Sequence, residues 1–247
     1  MILCIHQPSY FPWLGLLDKI ANSDIYLVMD EVQLSDSAYQ NRNIFISPDG
    51  KIKFQTISFN KKDYLKRRFC DLELSQPDWQ EKHYNTLISY YGKHKYFKEI
   101  LPNIEPVFKK TYSYLIEPVM DSMRICMEIL NIPTKINFQH MLDYSRDNKK
   151  SDLVLSLVKA IGADIYLAGN GSKDYMQLDS FEKSQIRVIF NNFKHPQYEQ
   201  KNTVKFEAGL SSLDLFFNMG IERSREIFWQ SAESSKKDLL QNFINEH

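Results

Sequence analysis

Apolar and polar positions along the 247-residue chain fall into short runs with two periods. Ile2–Ile5 is an unbroken apolar run ending at His6-Gln7-Pro8, the pattern of a buried strand meeting a turn. Leu14–Ala21 places apolar residues at 14, 16, 17, 20 and 21, with Asp18 and Lys19 on the opposite face, which predicts an amphipathic helix. Asp24–Met29 reads as a second buried strand, closed by Asp30. Ile44–Ser47 and Lys51–Phe59, joined at Pro48-Asp49-Gly50, predict a hairpin, and Asp71–Leu74 offers one more strand. From Pro77 to Leu130 the period becomes helical, over Trp79–Tyr91, Tyr96–Lys109 and Tyr114–Leu130. Ile136–Phe138, Ile165–Ala168 and Arg187–Phe190 read as strands. Ser151–Ile161, with Ser151 as its cap, reads as a helix, as do Leu213–Asn218 with Gly220 after it, Ile221–Phe228 and Ser234–Ile244.

Strand, helix and strand within thirty residues is a βαβ unit, parallel and right-handed. The fold class expected is therefore α/β, with a parallel-cored, Rossmann-like sheet, a hairpin and a helical subdomain. One domain is expected over 1–247, with the helical block at about 77–130 inserted into the sheet or packed beside it. Ligands of such folds lie beyond the carboxyl ends of the strands.

Composition narrows the classes. Lys and Arg total 31 and Asp and Glu 31, so the chain is neutral, which argues against a nucleic-acid-coating protein. Three cysteines (Cys4, Cys70, Cys126) lack metal-finger spacing and suit free thiols in a reducing compartment. The opening MILCIHQPSY has neither a signal-peptide core nor a spanning segment, and a cytoplasmic protein is expected. Glycines number only 8, whereas Phe, Tyr and Trp reach 16, 14 and 3.

Four segments carry candidate chemistry. His6-Gln7-Pro8-Ser9-Tyr10-Phe11-Pro12-Trp13 joins a strand end to a helix start, where backbone N–H groups and the helix dipole favour an anion. There His6 and Gln7 would be polar partners and Tyr10 and Trp13 stacking walls, unless the aromatic run is simply a buried turn. Asp30-Glu31-Val32-Gln33 with Asn41-Arg42-Asn43 suits a phosphate, carboxylate or sugar hydroxyls through Asp30, Gln33, Asn41, Arg42 and Asn43; a cap and a surface ion pair would look the same. Gly169-Asn170-Gly171-Ser172-Lys173-Asp174-Tyr175 follows a strand, as a phosphate-cradling loop or as a turn needing positive φ, and is not a Walker A sequence. Ser172 and Lys173 are its catalytic candidates; Gly169, Asn170, Gly171 and Tyr175 would contact substrate. His195-Pro196-Gln197-Tyr198 supplies His195 and Tyr198 as further binding candidates, His195 serving as an acid/base or as an ordinary loop residue. Ser211-Ser212-Leu213-Asp214 reads as a helix cap. No metal-ligand spacing is present.

The strings IHQPSYFPWLG, DIYLVMDEVQ and NRN, then GADIYLAGNGSKDY, HPQYEQ and LSSLDLFFNMG, resemble in the same order the pattern of the WbqC-like family, over about residues 1–223. Members of that family usually carry a serine where Asn170 stands, which turns attention to Ser172 for any hydroxyl role. The resemblance implies a place in bacterial O-antigen or other lipopolysaccharide and surface-polysaccharide assembly. It also implies transfer of an acyl or aminoacyl group, glycyl among them, to an amino sugar. The HQP opening and the GSK loop are also similar to nucleotidyltransferase-like Rossmann proteins.

Two readings of different class follow. In the first the protein is a transferase acting on the amine of a nucleotide-linked amino sugar, with His6 as acid/base and Lys173 and Arg42 as anion clamps. In the second it is a non-catalytic nucleotide-sugar or glycan binder or scaffold; an ATP-dependent ligase or nucleotidyltransferase is a third form. Two kinds of donor fit the sequence equally, ATP with an amino acid or a preformed acyl or aminoacyl donor. The sequence also leaves open the sugar and whether the protein is a homodimer. No genomic nucleic acid is expected as partner.

Overall fold

A computed structural model describes residues 1–34, 39–75 and 78–245, with side chains to residue 237; Pro77, the expected start of the helical block, lies outside the described residues. The first strand, β1 (Ile2–His6), leads through a loop into α1 (Leu14–Ala21) and β2 (Ile25–Val28). The antiparallel hairpin β3 (Arg42–Ile46) and β4 (Ile52–Thr56) comes next, followed by α2 (Asp78–Tyr91), α3 (Phe97–Ile104), α4 (Pro106–Lys109) and α5 (Ile116–Ile129). The chain then alternates as β5 (Lys135–Phe138), α6 (Lys150–Ile161), β6 (Ile165–Ala168), α7 (Leu178–Glu182), β7 (Arg187–Phe190) and α8 (Ser212–Asn245).

Five strands form one sheet in the order β5-β2-β1-β6-β7, with every neighbouring pair parallel. The α/β, Rossmann-like expectation holds. Strand order reverses at β1: the chain first builds outward through β2 to β5, then returns to the other side of β1 with β6 and β7. A reversal of this kind opens a crevice beyond the strand ends, here between the loops after β1 and β6.

The continuous apolar runs of the strands follow from burial on both faces. Cys4, Tyr26, Val28 and Leu167 pack with α1, α5 and α8 on one side, in a core that runs on into the hairpin and the helical block. Leu3, Ile5, Leu27, Tyr166 and Ala168 pack with Leu157 and Val158 of α6 and Phe181 of α7 on the other. In chain order the hairpin and helical block lie between β2 and β5. Among the described residues no helix is long and apolar enough to cross a membrane, and all three cysteines are free thiols.

Several element boundaries move for identifiable reasons. The helix expected over Tyr96–Lys109 divides before Pro106, where a proline N–H is missing and the preceding residue is crowded. Asp71–Leu74 forms only single bridges, Leu74 to Phe59 and Glu73 to Tyr114. Ser151 is not the cap of α6: Lys149 holds that position, and the Ser151 hydroxyl accepts from the Gln177 N–H at 2.9 Å. Gly220, with φ 74 and ψ 174, ends the helix expected at Leu213–Asn218 as predicted, whereas the two helices expected after it run together as the second part of α8.

Candidate functional site

The crevice at the strand reversal is a cavity of about 350 Å³ lined by His6, Trp13, Lys19, Gly169, Asn170, Gly171, Asn191 and Phe193, among others. It gathers the carboxyl ends of β1, β6 and β7 with the first turns of α1. The loop that carries His6 to Trp13 is braced from three directions. The Ser122 hydroxyl accepts from the Phe11 N–H at 2.9 Å, the Asn43 amide donates to the carbonyls of Tyr10 and Phe11 at 3.0 and 2.6 Å, and the Ser211 hydroxyl donates to the Phe11 carbonyl at 2.9 Å. Phe11 takes a φ of 39 within this brace, an uncommon conformation for a side-chain-bearing residue.

Lys19 is the dominant charge in the cavity. It is only 4% exposed, and its ammonium donates to the Ile5 carbonyl at 2.9 Å. Among the described residues it makes no ion pair. Burial holds its pKa below the ordinary lysine value. A buried cation without a counter-charge is costly, and such groups are normally paired or reserved for a ligand. Two of the three ammonium protons remain for an anion.

Asn191 stands beside it, 5% exposed. Its amide NH2 donates to the buried Asp18 carboxyl at 2.9 Å, and its Oδ1 is buried with no hydrogen-bond partner among the described residues. Orphaned buried acceptors are rare enough to need an explanation. Burial raises Asp18 to about 6 despite this bond. The cavity therefore presents a cationic donor at Lys19 and an unsatisfied acceptor at Asn191, which suits a ligand bearing both an anionic oxygen and a hydroxyl or N–H.

His6 borders the same space. The residue is exposed where it faces the cavity. Desolvation and the nearby Lys19 lower it to about 4. It is therefore neutral at neutral pH. Its Nδ1 sits 2.7 Å from the Gln7 carbonyl, which fixes the hydrogen there and leaves Nε2 as an acceptor. His6 is thus a base or acceptor and not an anion clamp.

The loop after β6 enters the cavity through Gly169, Asn170 and Gly171 and not through Ser172, Lys173 or Tyr175. Neither Gly169 nor Gly171 has positive φ; a Cβ on Gly171 would meet nothing within 4 Å, and one on Gly169 would point at the Lys19 ammonium at 4.0 Å. Ser172 is buried, with its hydroxyl donating to the Gly169 carbonyl at 2.7 Å, so it closes the turn and is not presented to a ligand. The Lys173 ammonium lies over the Phe190 ring at 5.2 Å and does not line the cavity. Tyr175 is exposed outside it.

Among the aromatic candidates, Trp13 is at the cavity, 39% exposed and edge-on to Phe193 at 5.5 Å. A Cβ on Gly15 would meet the Trp13 indole at 2.2 Å, so the glycine makes room for the folded-back ring. Tyr10 is no ligand wall: it is 0% exposed, its hydroxyl 3.0 Å from His83 and its ring edge-on to Trp79.

The Asn41-Arg42-Asn43 group does not reach the cavity either. Asn41 is buried and donates to the Ile57 carbonyl, Asn43 braces the first loop, and the Arg42 guanidinium stacks over Phe54 at 4.8 Å. Gln7 is half-buried and Gln33 exposed; neither lines the cavity. His195 and Tyr198 border a separate hollow of about 500 Å³ with Arg223 and Ser231. The Tyr198 hydroxyl donates to Asp214 at 2.9 Å. Asp214 also accepts from Tyr91 and Gln200, a role beyond the simple cap expected of it.

Asp30 lies one strand over, beyond the end of β2, with no exposure. It accepts from His140, which the sequence did not single out. Lys19 was also missed, because the helical pattern placed it on a solvent face; its side chain instead reaches the sheet, with the ammonium on the Ile5 carbonyl and beside Gly169.

With the two loops thus juxtaposed at β1 and β6, the comparison with known families is decisive. The WbqC-like protein family model matches residues 7–226, from the first loop into α8. The chain belongs to the WbqC-like family. This WbqC-like protein is also similar to an uncharacterized protein of Mycobacterium tuberculosis, 25% identical over 224 residues that cover 89% of this chain and 94% of that one. No solved structure matches it significantly.

Proposed function

We propose that this WbqC-like protein binds the phosphate-bearing part of a nucleotide-linked amino sugar at the β1–β6 crevice. In this reading it transfers an acyl or aminoacyl group, glycyl among them, to the sugar amine during assembly of a bacterial surface polysaccharide such as O-antigen. The observation that carries the reading is Lys19, a buried ammonium that opens onto the cavity and makes no ion pair among the described residues. A phosphate oxygen would satisfy Lys19, and the Gly169 and Gly171 backbone allows it close approach. Asn191 Oδ1 would accept from a sugar hydroxyl or a base N–H. The exposed face of Trp13 supplies a stacking surface for a base or sugar ring. The nucleotide sugar and an activated acyl donor are then the two co-substrates, and the site of action is the cytoplasm.

A second reading, binding without chemistry at this crevice, draws on one specific observation. The Ser172 hydroxyl is engaged within its own turn, and Lys173 does not line the cavity. A panel of nucleotide sugars in thermal-shift assays, followed by mass spectrometry with acyl donors or with ATP and amino acids, separates the two. Stabilisation together with an acylated sugar supports transfer. Stabilisation with an unchanged sugar mass under every donor supports binding alone. No stabilisation by any nucleotide sugar would remove both.

A further inference from the structure

A second hollow of about 500 Å³ lies on the same edge of the sheet, at the ends of β2 and β5, lined by Glu31, Arg68, Cys70, Asp71, His140 and Arg146. Its charged groups are held in place by one another. Glu31 accepts from Arg68 at 2.6 Å, from the Tyr144 hydroxyl at 2.8 Å and from Arg146 at 3.2 Å. Arg68 also grips Asp71 through two nitrogens, at 2.7 and 3.0 Å. The Gln139 amide ties this network to the turn that carries His140, donating to Tyr144 at 2.7 Å and accepting from the Glu31 N–H at 3.3 Å.

Within that frame Asp30 and His140 form a dyad. One oxygen of the buried Asp30 accepts from the His140 backbone N–H at 3.1 Å, and the other pairs with His140 Nδ1. With Asp30 accepting, Nδ1 carries the hydrogen and Nε2 keeps its lone pair. Among the described residues nothing is hydrogen-bonded to Nε2, and the side chain is 44% exposed. A buried carboxylate that fixes the tautomer and stabilises the imidazolium is the arrangement by which an imidazole accepts a proton during acyl transfer. Cys70, beside the dyad, is not the group to be activated. Burial and the neighbouring Asp71 push its thiol up to about 11, so it stays protonated.

We propose that the β2–β5 hollow receives a primary amine and that His140 Nε2, positioned by Asp30, is the base that takes its proton as the amine attacks an activated acyl ester or thioester. The nitrogen lone pair forms the new C–N bond, and Nε2 accepts the proton that the nitrogen sheds. The C–O or C–S bond to the leaving group then breaks, and the imidazolium returns that proton to the departing alkoxide or thiolate. His140 is the catalytic residue and Asp30 its positioning residue. That the amine belongs to a nucleotide-linked sugar rests on the reading above; the reactivity of the dyad does not.

The test is site-resolved carbethoxylation of the full chain by diethyl pyrocarbonate, quantified by peptide mass spectrometry, with glucosamine as the amine probe. In the wild-type protein glucosamine is expected to slow modification of His140 at least threefold relative to His195 in the same sample, a ratio that cancels the reagent consumed by the free amine. Asp30→Asn is expected to slow His140 by about tenfold or more, without effect at His195, because the carboxylate no longer orients the ring. Equal His140 rates in wild type and a folded Asp30→Asn variant would overturn the dyad. An equal His140-to-His195 ratio with and without glucosamine would overturn the amine site. Should Asp30→Asn not fold, protection in the wild type decides alone. Failure of nucleotide sugars to bind at Lys19 would leave these rates unaltered, so the two assignments are separable.

Discussion

The Lys19 ammonium donates to the Ile5 carbonyl at 2.9 Å, which ties a helix cation to the carboxyl end of the central strand. The bond orients the charge without neutralising it. The remaining protons meet the space beside Gly169, and that space is where an anion is expected.

Filling that space should block the anion and leave the fold intact. A Cβ on Gly169 would lie 4.0 Å from the Lys19 ammonium, an ordinary contact distance, and the residue has no positive φ to protect. Gly169→Val is expected to weaken nucleotide-sugar binding by about tenfold or more, the loss of one charge-assisted hydrogen bond. The melting temperature should stay within about 4 °C of wild type, under ~1 kcal/mol. Undiminished affinity by calorimetry would remove Gly169 from the site.

Trp13 should respond to Gly15. A methyl group there would meet the indole at 2.2 Å, and the half-exposed ring can swing away. Gly15→Ala is expected to keep or slightly raise stability, since alanine is favoured over glycine in a helix by up to about 1 kcal/mol. It should also shift tryptophan emission and reduce ligand-induced quenching. An unaltered spectrum would contradict the packing of Trp13 over Gly15.

Gly220 is a different case. Its φ of 74 and ψ of 174 belong to a region almost confined to glycine, and a Cβ would meet the Tyr96 ring at 2.6 Å. Strain and clash together predict that Gly220→Ala loses at least about 2 kcal/mol in urea unfolding. A loss under about 0.5 kcal/mol would contradict the break in α8.

The pH dependence of stability should be shallow, because two sets of groups oppose one another. Burial raises Asp18 and Asp214 from 3.8 to about 6, so between those values the unfolded chain has lost protons that the folded one keeps. Stability therefore falls as pH rises through that window. Burial lowers His6, His83 and His94 from 6.5 to about 4, and there the unfolded chain binds protons that the folded one lacks, so stability rises with pH. Asp214→Asn removes one opposing acid. Whatever it does to the level, the rise in stability from pH 4.5 to 6.5 should steepen by about 2 kcal/mol, since ~1.4 kcal/mol per pKa unit acts over the part of the 3.8-to-6 window that lies above pH 4.5. An unchanged slope in chemical denaturation at the two pH values would contradict the raised Asp214.

The sheet was legible because its strands are short, apolar and spaced by helices, and the crevice because strand ends of such sheets carry the loops that matter. His6, Trp13 and the Gly169–Gly171 segment were found in that way. Tyr10 was misread because composition does not say which way a loop turns: the braced backbone at Phe11 sends Tyr10 into the helical block. Lys19 was misread for the converse reason. A polar position on an amphipathic helix predicts solvent, but the long Lys19 side chain reaches the ends of β1 and β6, on the Ile5 carbonyl and beside Gly169, a meeting place that only the pairing of strands far apart in the chain creates. His140 sits in a turn without motif. Its only sequence signal is that a fully buried Asp30 at a neighbouring strand end needs a partner.

The central claim is that the buried Lys19 is held for a phosphate. The direct measurement is isothermal titration of a nucleoside-diphosphate sugar into wild type and Lys19→Met, whose side chain fills a similar volume without charge. The account predicts that the variant is at least as stable as wild type, because an uncompensated buried cation has been removed. It also predicts that the variant loses ten- to a hundredfold or more in affinity, roughly the 1.5–3 kcal/mol of a charged hydrogen bond. Equal affinity for the two proteins, with the variant folded, would contradict it.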